Sequence, residues 1–197
     1  MTVSASGNTA LLVLDVQNEL VDPKGKVGAG GLAKIVADKN LLGNLKGLIA
    51  SFRAKGALVV YVGLGYREDY QDVLSVAPRI AKARENKVAV RGTWGSEFHP
   101  DIAPQAGDMV FYKQCVNPFF GTSLLEWLVR HGVRDLCLAG TATNLVVESA
   151  ARYADDAGFA VTVVEDCCAS PNPAWHDFAI TQILPVFGRI ALSKDLR

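Results

Sequence analysis

The amino-acid sequence predicts an α/β fold, a three-layer doubly wound sandwich around a six-stranded, mostly parallel sheet. Two observations carry that expectation. Short apolar runs alternate with longer stretches, several of them of helical periodicity, along the whole chain. The runs are apolar almost throughout rather than at every second residue, which is the pattern of strands covered on both faces. Strands that alternate with helices assemble into a parallel sheet with helices on either side.

The first strand is read at residues 9–16 (TALLVLDV). Beyond it Leu41, Leu45, Leu48, Ile49 and Phe52 recur at helical spacing, and Gly56 stands where a C-terminal glycine would stop that helix. Residues 57–62 (ALVVYV) form the second strand. Residues 63–107 are the least regular part, with Pro78, Gly92, Gly95, Pro100 and Pro104; one short helix is expected around 73–85 and surface loops elsewhere. The third strand is 108–113 (DMVFYK), followed by a helix at 122–131 that ends at Gly132. The fourth strand, 135–139 (DLCLA), leads to a helix at 143–156 in which Glu148 and Arg152 stand four residues apart and can pair. The fifth strand is 159–165 (FAVTVVE), the last helix 173–184, and a short edge strand 189–192 closes the series. With no linker, repeat or second core in view, residues 1–197 read as one domain.

Composition narrows the function classes. Of 197 residues half are hydrophobic and a fifth charged, and a chain of this length buries about 70% of the surface its unfolded form exposes. Twenty basic side chains balance twenty acidic ones without a dense Lys/Arg run, so no nucleic-acid partner is expected. The opening segment MTVSASGNTA lacks a basic start followed by a long apolar stretch, and 9–16 is too short to cross a bilayer. No membrane partner is expected, and the reading is cytoplasmic. The four cysteines, Cys115, Cys137, Cys167 and Cys168, contain no CxxC pair, which suits reduced thiols better than a disulfide framework.

In an open α/β sheet ligands bind beyond the carboxyl ends of the strands. Asp15 closes the first strand, Lys113 the third, and Gly140-Thr-Ala-Thr-Asn144 leads from the fourth into a helix. An acid, a base and a helix N-terminus can converge there. Taken singly each has an ordinary explanation: a turn-forming aspartate, a solvated strand-end lysine, and Thr143 or Asn144 as an N-cap. The glycine-rich stretch 28–31 does not lie directly between a strand and a helix, and no GxGxxG follows the first strand, so no dinucleotide is expected. His99, His131 and His176 lack the paired spacing of a metal site, and no GxSxG elbow occurs. Neither a metal nor another cofactor is expected.

Three stretches, LLVLDVQNEL (11–20), KQCVNPFFGTSL (113–124) and LAGTATNLVVESAARYA (138–154), resemble in order and spacing the isochorismatase-like, or cysteine hydrolase, superfamily. GTWGSEFHPDIAP (92–104) is similar too. The resemblance implies that Asp15 is the general acid/base and Lys113 the cation that steadies its charge and that of a thiolate. The family's third motif runs G-x-x-T-D/N-x-C-V; Gly140, Thr143 and Asn144 match it, and the nucleophile position falls on Val146. A thiol there, in the first turn of a helix, would have a lowered pKa, and nearby backbone amides would hold an oxyanion. The resemblance further implies a non-proline cis peptide near Thr141-Ala142 that aims the Ala142 and Val146 amides at that oxygen.

Val146 supplies an amide but no nucleophile, which leaves several readings. The chain is an amidohydrolase of a small-molecule C–N bond (amide, carbamate or lactam) whose cysteine is replaced by Val146, naturally or by engineering. Alternatively it is a cysteine-independent vinyl-ether hydrolase of isochorismatase type, in which Asp15 protonates the substrate and water attacks; valine is bulkier than the glycine expected there. A third reading is a non-catalytic small-molecule-binding relative. Cys115, two residues after Lys113 and so on the same face, is a fourth, although it matches a variable family position. Leu20, Tyr66, Trp94 and Phe119 are the candidate substrate-binding walls. The resemblance also implies a small-molecule substrate and a homo-oligomer, while Cys137, Cys167 and Cys168 are assigned to packing.

Overall fold

A computed structural model describes residues 7–197. The first six residues, part of the opening segment read above for a targeting signal, lie outside them. Six strands form one sheet in the order β3-β2-β1-β4-β5-β6: β1 (Thr9–Leu14), β2 (Leu58–Leu64), β3 (Met109–Lys113), β4 (Asp135–Thr141), β5 (Ala160–Ala169) and β6 (Arg189–Ala191). Every neighbouring pair is parallel. The predicted α/β doubly wound sandwich is the fold observed.

The alternation of side chains along β1 shows how the layers are built. Leu11 and Val13 point into one core, where they meet Leu45, Leu48 and Phe52 of α3 (Leu41–Ala54). Ala10, Leu12 and Leu14 point into the other, against Leu124 and Leu128 of α5 (Leu124–Arg130) and Ala150 and Ala154 of α6 (Glu148–Asp156). Successive residues of a strand face opposite sides, so a strand that is apolar on both faces has to be covered twice. A third apolar cluster, Tyr66, Tyr70, Ile80 and Val88 to Val90, ties the irregular excursion after β2 to itself.

Several boundaries differ from expectation, each for a local reason. The helix expected at 73–85 is α4 (Pro78–Glu85). Pro78 occupies its first turn and holds Ala77 in extended conformation, so the five preceding residues stay outside. Two helices were not foreseen: α1 (Asn18–Val21), a single turn, and α2 (Leu32–Asp38). The strand β5 continues four residues beyond Glu165, through a register shift against β4, and so takes in Cys167 and Cys168. The last helix is α7 (Pro173–Phe178), extended by a π turn at Ala179–Ile183 and a 3-10 turn at Leu184–Val186.

The strand order places the site. Counting outward, β1 leads to β2 and β3 on one side, and β4 to β5 and β6 on the other. The chain therefore reverses its winding between β1 and β4, and a crevice opens beyond their carboxyl ends. Asp15 follows β1 and Ala142 follows β4, one on each side of that crevice.

Candidate active site

Asp15 is the first residue beyond β1 and turns the chain with φ 53°, in the left-handed region. Its N–H donates to Val62 O (2.8 Å) and its carbonyl accepts from Thr141 Oγ1 (3.1 Å), so both flanking strands hold the backbone in place. Its carboxylate is almost fully buried. Oδ2 accepts from Lys113 Nζ at 2.8 Å, while Oδ1 has no hydrogen-bond partner among the described residues. Lys113 is fully buried, and its remaining bond runs from Nζ to Cys115 O (3.0 Å). Burial raises the Asp15 carboxyl above its ordinary value, and the Lys113 ammonium opposes the rise. An acid so placed can hold or release a proton at a reacting atom.

Across the crevice, Gly140 brings β4 against β1. Its φ is 137°, and a Cβ there would lie 2.0 Å from Leu14 O, so only glycine admits this approach. The Thr141–Ala142 peptide bond is cis. The next five residues, Thr143–Val147, form a π turn rather than the ordinary helical start expected. Neither Thr143 nor Asn144 caps it by its side chain. Instead the Leu145 and Val147 N–H groups both donate to Ala142 O (3.1 and 3.3 Å), and Ser170 Oγ donates to Asn144 Oδ1 (2.8 Å).

Behind the turn lies a polar group that sequence reasoning missed. His176 Nδ1 is 2.8 Å from Thr143 Oγ1, and Nε2 is 2.9 Å from Lys39 Nζ, which also donates to Glu165 Oε1 (2.8 Å). Nε2 also lies 3.1 Å from Glu165 Oε1, so with the ring proton on Nδ1 it accepts from Lys39, and with the proton on Nε2 it donates to Glu165. Burial, together with the Lys39 charge, pushes the imidazole below its ordinary value, against the hydrogen bond and charge of Glu165. Its distance in sequence from Thr143 gave no signal. Only the parallel pairing of β4 with β5 brings the two segments together.

A cavity of about 520 Å³ opens over the pair. Asp15, Lys113, Ala142 and Val146 line it together, as do Leu20, Tyr66 and Cys115. Burial pushes the Tyr66 phenol up to about 12, with Asp15 adding to the effect, and Cys115 is also raised by burial, against the pull of Lys113. The two other candidate wall residues, Trp94 and Phe119, do not line the cavity. Trp94 lines a neighbouring, wider cleft of about 1130 Å³, which shares Lys26 and Tyr66 with the first, and Asn18 Nδ2 donates to the Trp94 carbonyl (2.9 Å) in the turn at Trp94–Ser96. Phe119 stacks on Tyr153 (centroids 4.6 Å apart) and belongs to the core. Among the described residues no group of three or more His, Cys, Asp and Glu is arranged to hold a metal ion, and no helix is long and apolar enough to cross a membrane.

The loops around the cavity hang on three buried polar residues directly after the first strand. Gln17 Nε2 donates to Leu64 O and Ser96 O (both 2.7 Å), and its Oε1 accepts from Leu64 N (2.8 Å). Asn18 holds Trp94, and Glu19 accepts from the backbone of Lys26 (2.9 Å) and Ala89 (3.1 Å). A polar triplet, Gln17 to Glu19, two residues after a largely apolar strand was the available signal.

Comparison with known proteins agrees with this fold. The isochorismatase domain family matches residues 9–195. A ureidoacrylate amidohydrolase, RutB, of Caulobacter vibrioides is 29% identical over 96% of this chain and 89% of its own length. Among solved structures, an isochorismatase family protein from Desulfovibrio vulgaris superposes with TM-score 0.83 at 26% identity, covering 96% of each chain. An N-carbamoylsarcosine amidase from Thermoplasma acidophilum does so with TM-score 0.74 at 28% identity, over 94% of this chain and 96% of its own.

Proposed function

The chain belongs to the isochorismatase family, and from that premise we propose that the cavity over Asp15 and Lys113 is a hydrolase site for an amide-type C–N bond of a small molecule, with Val146 in the place of the nucleophilic cysteine. The observation that carries this reading is the buried Asp15–Lys113 pair, which shares one cavity with Ala142 and Val146. The relatives named for ureidoacrylate and N-carbamoylsarcosine hydrolysis support the C–N bond as the one cleaved.

In the thiol-bearing form of this site, the sulfur at position 146 attacks the carbonyl carbon and passes its proton to Asp15. The Ala142 amide and the amide at position 146 hold the oxyanion. Asp15 then gives the proton to the leaving amine as the C–N bond breaks, leaving a thioester. Water, deprotonated by Asp15, cleaves the thioester and restores the thiol. Lys113 keeps the carboxylate oriented and offsets its charge. Valine has no lone pair to begin this sequence, so the chain with Val146 turns over slowly if at all by the covalent route. Cys115 is a poor substitute, since burial keeps it a thiol and its Sγ lies 3.1 Å from Asn117 O.

One observation favours a second reading. The unpartnered Oδ1 of Asp15, with the carboxyl raised by burial, suits a proton donor that needs no thiol, as in vinyl-ether hydrolysis. The two are separated by assaying the unaltered chain on isochorismate and Val146→Cys on small amides, carbamates and lactams. Turnover confined to Val146→Cys supports the first reading. Isochorismate consumption by the unaltered chain, lost in Asp15→Ala, overturns it in favour of the second.

A further inference from the structure

The rim of the cavity carries charge that the reaction at its floor does not use. Arg79 and Lys82 stand three residues apart on α4, hence on one face of that helix, and both line the cavity. Arg79 forms no ion pair among the described residues, and its one hydrogen bond is a long contact with Ser75 Oγ (3.4 Å). The Lys82 ammonium has neither an ion pair nor a hydrogen bond among them. Elsewhere in the segment Arg67 pairs with Asp69 at 2.7 Å and Arg91 with Asp72, while Arg84, like Arg79, has no ion pair among the described residues but does not line the cavity. Lys26 completes the rim, held by Lys87 O (2.7 Å) with Glu19 at 3.7 Å.

Against these cations the cavity lining offers one carboxylate, Asp15, and Lys113 already neutralises it. Arg79 is also near enough for its charge to act on Tyr66 and Cys115, both of which line the cavity with Asp15. Positive charge with no ion-pair partner among the described residues therefore borders the same cavity as Asp15 and Val146. A guanidinium matches the planar, two-oxygen edge of a carboxylate.

We propose that Arg79, assisted by Lys82, binds a carboxylate on the substrate, so that the site takes amido or ureido acids in preference to neutral amides. This rests on the hydrolase reading only for the identity of the cavity as the substrate site. The anion holds the far end of the molecule, and the amide end falls between Asp15 and the Ala142 turn. Because α4 is half open to water, the interaction weakens with salt.

The experiment is a calorimetric titration of the unaltered protein with N-carbamoylglycine, N-carbamoyl-β-alanine and N-carbamoyl-4-aminobutyrate, each beside its neutral carboxamide. At low salt the best acid binds roughly tenfold more tightly than its carboxamide. That preference shrinks to less than about threefold in Arg79→Gln, is partly kept in Arg79→Lys, and is unchanged in Arg67→Gln, which removes a cation from the neighbouring cleft. The proposal is overturned if acids and carboxamides bind alike, if no acid binds, if the preference survives Arg79→Gln, or if Arg67→Gln removes as much of it. Binding is read without turnover. A Val146→Cys protein that hydrolyses nothing would sink the hydrolase reading and leave the anion preference standing.

Discussion

Lys113 Nζ lies 2.8 Å from Asp15 Oδ2 although the two residues end strands that are separated by a third. Strands sit about 4.8 Å apart in a sheet, so the contact requires a long side chain reaching over the end of β2. It places the two charges in a fully buried pair at the floor of the cavity.

Breaking that pair from one side leaves a buried charge with no counterpart. Lys113→Met should cost about 3–5 kcal/mol of stability, whereas the double replacement Asp15→Asn with Lys113→Met should recover most of it. Urea unfolding of the single and double variants checks this; equal losses in both would show that the pair contributes by packing alone.

Gly140 is held at φ 137° with Leu14 O where its Cβ would be. Gly140→Ala should lose at least about 3 kcal/mol, from the backbone conformation and the clash together. A protein that unfolds at the same urea concentration as the unaltered chain would show that β1 and β4 can separate here at little cost.

His176 has a lowered pKa in the native state, against 6.5 as its ordinary value. Below 6.5 the unfolded chain therefore binds the proton more readily than the folded one. Stability should fall as the pH drops through 6.5 toward the native value, and this dependence should be absent above it. The urea midpoint as a function of pH reads the effect, and His176→Gln should flatten the curve in that window. An unflattened curve would place the titrating group elsewhere.

Cys115 is raised by burial, so little of it is thiolate at neutral pH. Iodoacetamide should modify it roughly tenfold more slowly than free cysteine at pH 7, and more slowly than the thiol introduced by Val146→Cys. Mass spectrometry of the labelled peptides decides, and rapid modification of Cys115 would revive it as a nucleophile.

The sheet was legible because its strands are short runs apolar on both faces that alternate with longer helical stretches. Asp15, Lys113 and the Gly140–Asn144 segment were legible as strand ends, and the Asp15–Lys113 contact followed from them. The helix α2 was not, since a short helix between two turns leaves little periodicity. That Trp94 and Phe119 lie outside this cavity was not legible, because an aromatic residue in a loop can turn to either side, and Phe119 stacks on Tyr153, far along the chain. His176 and Arg79 were invisible for a different reason. His176 takes its meaning from partners far along the chain, and Arg79 from having no ion pair among the described residues.

The most direct measurement is the hydrolysis of the ureido-acid series by Val146→Cys, with the intact protein weighed during turnover. A gain of roughly a hundredfold or more over the unaltered chain is expected. It should come with an acyl adduct on the introduced thiol, and both should disappear when Asp15→Asn is added. No gain with any of the acids, amides, carbamates or lactams, or a gain that survives Asp15→Asn, would contradict the assignment of this cavity as a cysteine-hydrolase site lacking its nucleophile.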